Sequence, residues 1–245
     1  MDIVKMEGVV KAFGKVRAVD GLSLAVRQGE IMGFLGANGA GKTTTIKMLL
    51  GFFRPDSGLV EVLGGDPCAP SARAKIGFMP ETAYYYPFLN VAELLGFYGG
   101  LCGMAKNAIK RRATELIARV GLSDAGKRPL RSYSKGMLQR AGIAQALLHD
   151  PDLLILDEPF TGLDPLARIR LRDLIIDLRR QGKTVFFSSH ELSEAELICD
   201  RVAIVKRGGL VSCGSVRELA GDGERNLERI FLKALGAEAH GGGRS

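Results

Sequence analysis

The first stretch that could carry chemistry is the run GANGAGKTT at positions 36–44. Gly36, Gly41, Lys42 and Thr43 fill the pattern G-x-x-x-x-G-K-[ST] of a phosphate-binding loop. Glycines let the backbone turn its N–H groups onto a phosphate, and a helix beginning here adds a favourable partial positive charge. Lys42 is expected to reach the β- and γ-phosphates of a nucleoside triphosphate, and Thr43 to hold magnesium. The other positions of this predicted cradle are Asn38, Gly39, Ala40 and Thr44.

Two adjacent carboxylates, Asp157 and Glu158, form the second candidate, because they follow the apolar residues 153–156. Alone, such a pair is also compatible with an ordinary strand terminus. Beside a phosphate loop, Asp157 is placed to bind magnesium through its water shell, and Glu158 to polarise a water for in-line attack on the γ-phosphate. Because side chains alternate along a strand, we expect the two carboxylates to point in opposite directions.

The surrounding sequence predicts the elements that position these residues. A short buried strand precedes the phosphate loop and a helix follows it. Asn90 is predicted to cap the first of two helices in residues 90–120, where the signal changes from strand to helix. The strands are predicted at 3–10, 18–26, 30–35, 59–63, 75–79, 153–156, 184–188, 202–205 and 209–211, and further helices at 44–50, 134–148, 165–180, 216–220 and 227–235. This alternation predicts an α/β core that an inserted helical subdomain interrupts.

Composition places the chain among ordinary globular proteins and excludes a disordered one. Of its 245 residues, 46% are hydrophobic and 25% are charged. No run approaches the roughly 20 apolar residues that cross a bilayer, and residues 1–5 do not resemble a signal peptide, so we expect a cytoplasmic chain. Its four cysteines are scattered without a C-x-x-C pair, which favours reduced thiols over disulfides or zinc.

The formal net charge of +7 permits a nucleic-acid or acidic-membrane partner. The basic residues are spread over 106–112, 127–131 and 168–180 and do not form one tract. Such a distribution is more typical of solvated helix faces. We therefore expect no nucleic acid partner, while a weak attraction to an anionic membrane surface stays open.

Several further motifs give the chain a resemblance to the ATP-binding subunits of ABC transporters, from residue 3 to about residue 235. Residues 133–137, YSKGM, are similar to that family's signature motif, whose usual form is Leu-Ser-Gly-Gly-Gln. Ser134 and Gly136 are retained, and the resemblance implies that both meet a γ-phosphate, with Ser134 capping a helix that faces the anion. Lys135 and Met137 are the other signature positions assigned to the ATP of a partner subunit.

Two later motifs extend the resemblance. Residues 162–164, GLD, match the family's D-loop and include Asp164, and His190, after two serines, matches its switch histidine. This implies that His190 contacts the γ-phosphate and holds the attacking water with Glu158. The implied fold is α/β: a P-loop NTPase core with an N-terminal antiparallel β subdomain and an α-helical subdomain inserted at about residues 82–150. This ATPase domain would span residues 1–220, followed by a short helix and flexible tail at 221–245.

One position departs from the family pattern, because Glu81 stands where many relatives carry glutamine between the core and the helical subdomain. We expect Glu81 to contact the nucleotide's magnesium ion or its water. Together with the variant signature, this loop resembles a branch that serves multidrug, polysaccharide, sodium or gliding-related exporters.

The resemblance implies partners as well as cofactors. ATP and Mg²⁺ would bind between two subunits arranged head to tail, a second copy of this chain or a homologous one, since the signature of one completes the site of the other. An integral-membrane permease would hold the pair at the inner face of the membrane. A soluble ABC ATPase that acts on ribosomes or nucleic acid is the alternative. A non-hydrolysing regulatory module is disfavoured, because the lysine, both carboxylates and the histidine are all present.

Aromatic residues raise two questions that the sequence leaves open. Phe13 could stack on the adenine ring of the nucleotide, or it could be a half-buried strand aromatic. Residues 84–88, YYYPF, concentrate four aromatics just after Glu81. They form either a lid packed on Val91 and Leu94 or a socket for a cytoplasmic helix of the permease.

Overall fold

Two β-sheets and a set of helices form the chain in the computed structural model, which describes residues 1–220 and 227–234. The break predicted at 221–223 and the tail predicted at 241–245 lie outside these residues. None of the helices within them has both the length and the apolar character needed to cross a membrane.

The smaller sheet is antiparallel and consists of the first, second and fourth strands of the chain. Its strand order is β2-β1-β4, with β1 at Asp2–Phe13, β2 at Val16–Arg27 and β4 at Ser57–Val62. A tight turn at Gly14, whose φ is 57°, joins β1 to β2. The sheet confirms the predicted N-terminal antiparallel subdomain, and β1 and β2 are longer than the sequence patterns indicated.

The larger sheet sets the geometry of the site. Its order is β5-β6-β7-β3-β8-β9, and all neighbouring pairs are parallel except β8 with β9. Its strands are β3 at Ile31–Leu35, β5 at Ile76–Met79, β6 at Leu153–Asp157, β7 at Thr184–Ser189, β8 at Arg201–Lys206 and β9 at Gly209–Gly214. The central strands β3, β6 and β7 are buried along their whole length, as expected for a parallel sheet covered on both faces. Because these three strands run the same way, the segments that follow them meet at one edge.

The helices cover both faces of this sheet and form the insertion. The inserted subdomain consists mainly of α3 at Val91–Leu101, α4 at Lys106–Arg119 and α5 at Lys135–Leu147. The other helices are α1 at Lys42–Leu49, α2 at Pro70–Arg73, α6 at Pro165–Arg180, α7 at Leu192–Ile198, α8 at Val216–Ala220 and α9 at Leu227–Ala234. Asn90 caps α3 as predicted, in a reciprocal arrangement with Glu93. The short helices α2 and α7 were not predicted.

Alternating side chains of β3 divide the interior into two cores. Ile31 and Leu35 belong to a cluster with the inserted helices, α6 and α7, whereas Met32 and Phe34 belong to a cluster with the antiparallel sheet and α1. This alternation follows from the two-residue period of a strand. The phosphate loop, which begins directly after β3, is therefore anchored between both cores.

Candidate functional site

Two glycines of the phosphate loop have no room for a side chain. A Cβ atom at Gly41, whose φ is 99°, would lie 2.3 Å from the carbonyl oxygen of Ala18. At Gly36, a Cβ atom would lie 2.8 Å from the carbonyl oxygen of Val205. The loop conformation therefore depends on glycine at both positions. It leads directly into α1, whose first residue is Lys42.

A cavity of about 460 Å³ lies over this loop and the start of α1. Glu81 and Glu158 contribute to its wall from the larger sheet, and Val16 and Arg17 from β2. Seven of the predicted cradle residues line it: Asn38, Gly39, Ala40, Gly41, Lys42, Thr43 and Thr44. Gly36 is buried instead, and its N–H donates to the carbonyl oxygen of Ser189 at 3.2 Å. Gly36 therefore shapes the backbone of the phosphate loop and does not line the cavity.

Asp157 and Thr43 converge at the base of this cavity. Asp157 is the last residue of β6, and its Oδ2 accepts a hydrogen bond from the Thr43 hydroxyl at 3.1 Å. Its Oδ1 accepts one from Ser188 at 2.5 Å, which fixes the carboxylate against β7. A hydroxyl and a carboxylate side by side supply the hard oxygen ligands that Mg²⁺ prefers, so these residues fit the predicted metal.

Glu158 is oriented by a turn and not by the strand. The strand ends at Asp157, and Glu158 has a φ of 52°. Few residues with a side chain adopt this left-handed conformation, and it accumulates at functional sites. We expected strand alternation to point the two carboxylates in opposite directions. This reason was wrong, because Glu158 lies in a turn after the end of the strand. The Ser188 hydroxyl, which donates to Asp157, also accepts from the Glu158 N–H at 3.0 Å.

The Glu158 carboxylate contacts both the predicted phosphate-binding Lys42 and the predicted catalytic His190. Its Oε1 lies 3.1 Å from the Lys42 ammonium, and the two side chains are each only 7% exposed. Its Oε2 lies 2.9 Å from His190 Nδ1, and also accepts from the Thr161 hydroxyl at 3.4 Å. Because an ionised carboxylate only accepts hydrogen bonds, Nδ1 carries the proton in the contact with His190.

The loop that carries His190 is held in place by ion pairs. Glu191 binds the guanidinium of Arg168 on α6 through both of its carboxylate oxygens. The buried Glu194 on α7 lies 3.6 Å from Arg168 and 3.6 Å from Arg172. A planar guanidinium matches a carboxylate in this two-point geometry, which fixes direction as well as distance. The histidine loop is thereby tied to the helix that follows the D-loop.

The predicted signature residues lie away from the chain's own phosphate loop. Ser134 caps α5, accepting from the Met137 N–H at 3.3 Å, and is exposed. The Lys135 side chain lies against Gly162, and Asp164 caps α6 through the Ala167 N–H at 2.9 Å. None of the four signature positions lines the cavity over the phosphate loop.

Two other predicted positions differ in their placement. Glu81 is exposed and lines the phosphate-loop cavity, as expected for a residue near the nucleotide. Phe13 is 46% exposed and packs edge-on against Phe53, with ring centroids 5.3 Å apart. It does not line that cavity, whereas Val16, three residues further along the same hairpin, does.

The aromatic residues 84–88 divide between the two alternatives that the sequence left open. Tyr85 packs against the core of the helical subdomain, while Tyr84, Tyr86 and Phe88 are 92%, 52% and 67% exposed. A groove of about 750 Å³ beside them has a wall that includes Arg73, Phe78, Tyr84, Tyr98 and Leu101. The segment therefore has one inward-facing ring and an exposed aromatic face.

Sequence reasoning did not assign roles to three residues that support Glu158. Ser188 holds its N–H, Thr161 contacts its carboxylate, and Gln139 donates to its carbonyl oxygen at 3.3 Å. The role of Ser188 could have been predicted, because it lies at the end of a strand next to the strand that leads to Glu158. A serine in that position is well placed to bridge the two strands. Thr161 lies three residues after Glu158 in the same turn, and its N–H also donates to the Glu158 carbonyl oxygen at 3.2 Å. The contact of Gln139 depends on how α5 packs, which its sequence position does not reveal.

Comparison with known proteins agrees with this geometry. Residues 19–161 match the family model described as ABC transporter. The chain is 48% identical over 229 residues to an ABC transporter ATP-binding protein of Synechocystis sp., covering 93% of this chain and 64% of that protein. It thus spans less than two thirds of that relative's length.

Two further matches resemble the chain over more of their length. Nod factor export ATP-binding protein I of Ralstonia nicotianae is 38% identical over 219 residues, covering 89% of this chain and 68% of that protein. A solved structure of the ATP-binding subunit of an ABC transporter superposes with a TM-score of 0.86 at 27% identity, covering 95% of this chain and 99% of that one. This neighbour confirms the predicted fold class.

Proposed function

Because the chain belongs to the ABC transporter family, we propose that it binds and hydrolyses ATP to drive transport by a separate membrane permease. The observation that carries the proposal is the position of Glu158. Its carboxylate lies within hydrogen-bonding distance of both Lys42 and His190, in the wall of the cavity over the phosphate loop. The site thus brings together a base, a cation that can bind phosphate and a histidine that orients the base. This combination is suited to the attack of water on a γ-phosphate.

The phosphates of ATP would lie over the start of α1. The loop N–H groups and the helix N-terminus favour an anion there, and Lys42 adds a full positive charge. Val16, Arg17 and Ala18 line the cavity beside the phosphate loop, and Phe13 lies just outside it at the end of β1. A nucleoside that extends from the phosphates along this wall would reach the Phe13 ring. Phe13 keeps its proposed contact with the adenine through its exposed part.

Glu158 would accept the proton of the attacking water. His190 binds one carboxylate oxygen of Glu158 through Nδ1–H. The other carboxylate oxygen contacts Lys42, so it can accept a proton only after Lys42 has released it. Thr43 and Asp157 would hold Mg²⁺, with Glu81 as a further candidate ligand. When bound, the ion neutralises developing negative charge on the phosphates.

The placement of the signature supports a head-to-tail dimer. Ser134, Lys135 and Gly136 are accessible at the start of α5 but do not line the chain's own phosphate-loop cavity. A second copy, or a homologous subunit, would bring its own signature to this cavity. ATP would then lie between the two chains, and its γ-phosphate would hold them together until hydrolysis.

The permease would dock at the exposed aromatic face of residues 84–88 and the adjoining groove. Aromatic side chains are enriched at the centres of interfaces, and these lie beside the segment that carries Glu81. An export direction is supported by the Nod factor export relative and by the variant signature. Within the described part of the chain, no residue cluster specifically favours the alternative role on ribosomes or nucleic acid.

Mixing two inactive variants tests both hydrolysis and the shared site. Lys42→Ala destroys the phosphate loop but keeps the signature, and Ser134→Arg does the reverse. If the dimer is head to tail, mixed pairs contain one complete site, and activity should return to about a quarter of the wild-type rate with random pairing. Mg²⁺-dependent phosphate release measures this. A mixture no more active than its separate components would oppose the shared site, and an inactive wild-type protein would oppose ATP hydrolysis itself.

A further inference from the structure

Two buried polar atoms that the hydrolysis scheme does not use belong to side chains that line the same small cavity. Among the described residues, the side-chain oxygen of Gln139 and the hydroxyl of Tyr85 are buried without a hydrogen-bond partner. Both side chains line a cavity of about 180 Å³ between the segment around Glu81 and α5. Buried polar groups are nearly always hydrogen-bonded. Two such atoms without a partner beside one cavity therefore indicate that the cavity supplies their hydrogen bonds.

Gln139 connects this cavity to Glu158. Its Nε2 donates to the main-chain carbonyl oxygen of Glu158 at 3.3 Å, and its Oε1 is the atom without a partner. Glu158 has the left-handed φ of 52°, which its surroundings must maintain. Ser188 holds the N–H of Glu158, and the carbonyl oxygen of Glu158 accepts from Gln139 and, within its own turn, from the Thr161 N–H at 3.2 Å. Gln139 is the contact that ties this turn to α5, so it helps to fix the peptide groups around Glu158 and the direction of its carboxylate.

The Tyr85 hydroxyl contacts α5 about one helical turn away from Gln139. A Cβ atom at Gly142 would be 2.7 Å from the Tyr85 hydroxyl oxygen, so this hydroxyl lies directly over α5 at that glycine. Residues three apart on a helix are neighbours on its surface. Burial raises the pKa of Tyr85, so its hydroxyl stays protonated and can donate. The side chains that carry this donor and this acceptor therefore line one cavity, whose volume is large enough for ordered water.

We propose that Gln139 is a positioning residue for Glu158, and that ordered water in this cavity joins its amide oxygen to the Tyr85 hydroxyl. The contacts then run from the aromatic segment through Tyr85 and Gln139 to the general base. Glu81 lines both this cavity and the one over the phosphate loop. The inference rests on the proposed function of Glu158 in hydrolysis.

Substitutions of Gln139 separate positioning from packing. Gln139→Glu keeps acceptor oxygens but, when ionised, cannot donate to the Glu158 carbonyl, and Gln139→Leu loses both functions. We expect kcat to fall about tenfold to a hundredfold in each variant, with KM for ATP unchanged. The reason is that displacing a catalytic base by a fraction of an ångström slows the reaction by about this factor. Gln28→Leu, at an exposed position between β2 and β3, is the matched control and should retain wild-type kcat. Wild-type kcat in Gln139→Leu would overturn the inference.

A double variant tests whether Gln139 acts through Glu158. In a Glu158→Gln background, Gln139→Leu should cause little further loss of kcat, because the group that it positions is already gone. A further loss as large as in the wild type would contradict positioning. If Glu158→Gln alone hydrolyses ATP normally, the proposed function fails. If Glu158→Gln is inactive and Gln139→Leu is normal, only this inference fails.

The Tyr85 end of the cavity needs its own test. Tyr85→Phe removes only the hydroxyl, and we expect a smaller decrease of kcat in the same direction with unchanged KM. A crystal structure should contain ordered water within hydrogen-bonding distance of both Gln139 Oε1 and the Tyr85 hydroxyl. Unchanged kcat in Tyr85→Phe, or a dry cavity in the crystal, would overturn the link to the aromatic segment.

Discussion

The ammonium of Lys42 lies 3.1 Å from the carboxylate of Glu158, and both side chains are buried. Lys42 also donates to the carbonyl oxygen of Gly36 at 2.6 Å, so one cation is shared by the phosphate loop and the proposed base. A γ-phosphate bound at the loop would compete with Glu158 for this ammonium, since both are anions. Binding of ATP would therefore release one carboxylate oxygen at the moment when it is needed to accept a proton.

Replacement of Glu158 by Gln should separate binding from hydrolysis. Turnover is expected to fall by about two to four orders of magnitude, the usual span for a general base. The affinity for ATP should stay the same or increase, because the neutral amide competes less for Lys42. Phosphate release and equilibrium nucleotide binding measure the two effects. Glu196→Gln, an exposed carboxylate on α7, is the control, and near-normal turnover in Glu158→Gln would exclude the assignment.

Replacement of Lys42 by Ala should weaken both nucleotide binding and the fold. The ATP dissociation constant should rise, and Glu158 would keep its charge in a buried place without its cationic partner. Breaking a buried ion pair in this way costs about 3 kcal/mol. Urea unfolding measures this loss, and Lys42→Ala/Glu158→Gln should recover most of it. Undiminished nucleotide affinity in the single variant would count against the phosphate-loop assignment.

Replacement of Phe13 by Ala tests whether its ring contacts the adenine. We expect the ATP dissociation constant to rise by a factor that corresponds to about 0.5–1.5 kcal/mol, with hydrolysis intact at saturating ATP. Phe52→Ala, another half-exposed phenylalanine, is the matched control. Phe13 also packs against Phe53, so an unchanged dissociation constant with reduced thermal stability would favour a structural role.

The sequence predicted the elements of this site better than their contacts. The glycines, Lys42 and the carboxylates after β6 are local patterns, and their meeting follows from parallel strands that end at one edge. The turn at Glu158 could not be predicted, because its left-handed backbone is held by Ser188 and Gln139 from two other elements as well as by the local Thr161 N–H. For the same reason, the four aromatics at 84–88 appeared alike in sequence, while packing on α5 turns only Tyr85 inward.

Stability should depend on pH through His149. Its Nε2 donates to the carbonyl oxygen of Ile76 at 3.1 Å, and burial lowers the pKa of His149 below its ordinary value of 6.5. As pH falls below about 6.5, the unfolded chain binds a proton before the folded chain does, so the free energy of unfolding decreases until the folded pKa is reached.

The variant His149→Gln keeps a donor for Ile76 but does not titrate. Its free energy of unfolding should therefore decrease less steeply than that of the wild type as pH falls from about 6.5, and both proteins should behave alike above about pH 7.5. Urea unfolding at a series of pH values measures the difference. Equal slopes in the acidic range would show that His149 titrates normally in the folded chain.

The exposed face of residues 84–88 should govern coupling to the permease. Tyr84 and Phe88 are 92% and 67% exposed, and Phe88 packs on the ring of Tyr86, itself 52% exposed, whereas Tyr85 packs against the core. We therefore expect a coupling defect from substitutions at Tyr84 and Phe88. The double variant Tyr84→Ser/Phe88→Ser should keep the ATPase rate of the isolated chain within about threefold, since a contact made only with a partner cannot affect the free protein.

With the permease co-expressed, the same double variant should co-purify less of it and lose transport-coupled ATP hydrolysis, because aromatic anchors dominate interface energies. Leu197→Ser, which alters a 62% exposed side chain on α7, is the control and should retain both properties. Tyr85→Ala should instead lower thermal stability, since its ring contacts Tyr98 with centroids 6.5 Å apart and packs on the helical core. Normal co-purification of the Tyr84→Ser/Phe88→Ser variant would place the permease contact on another surface of the chain.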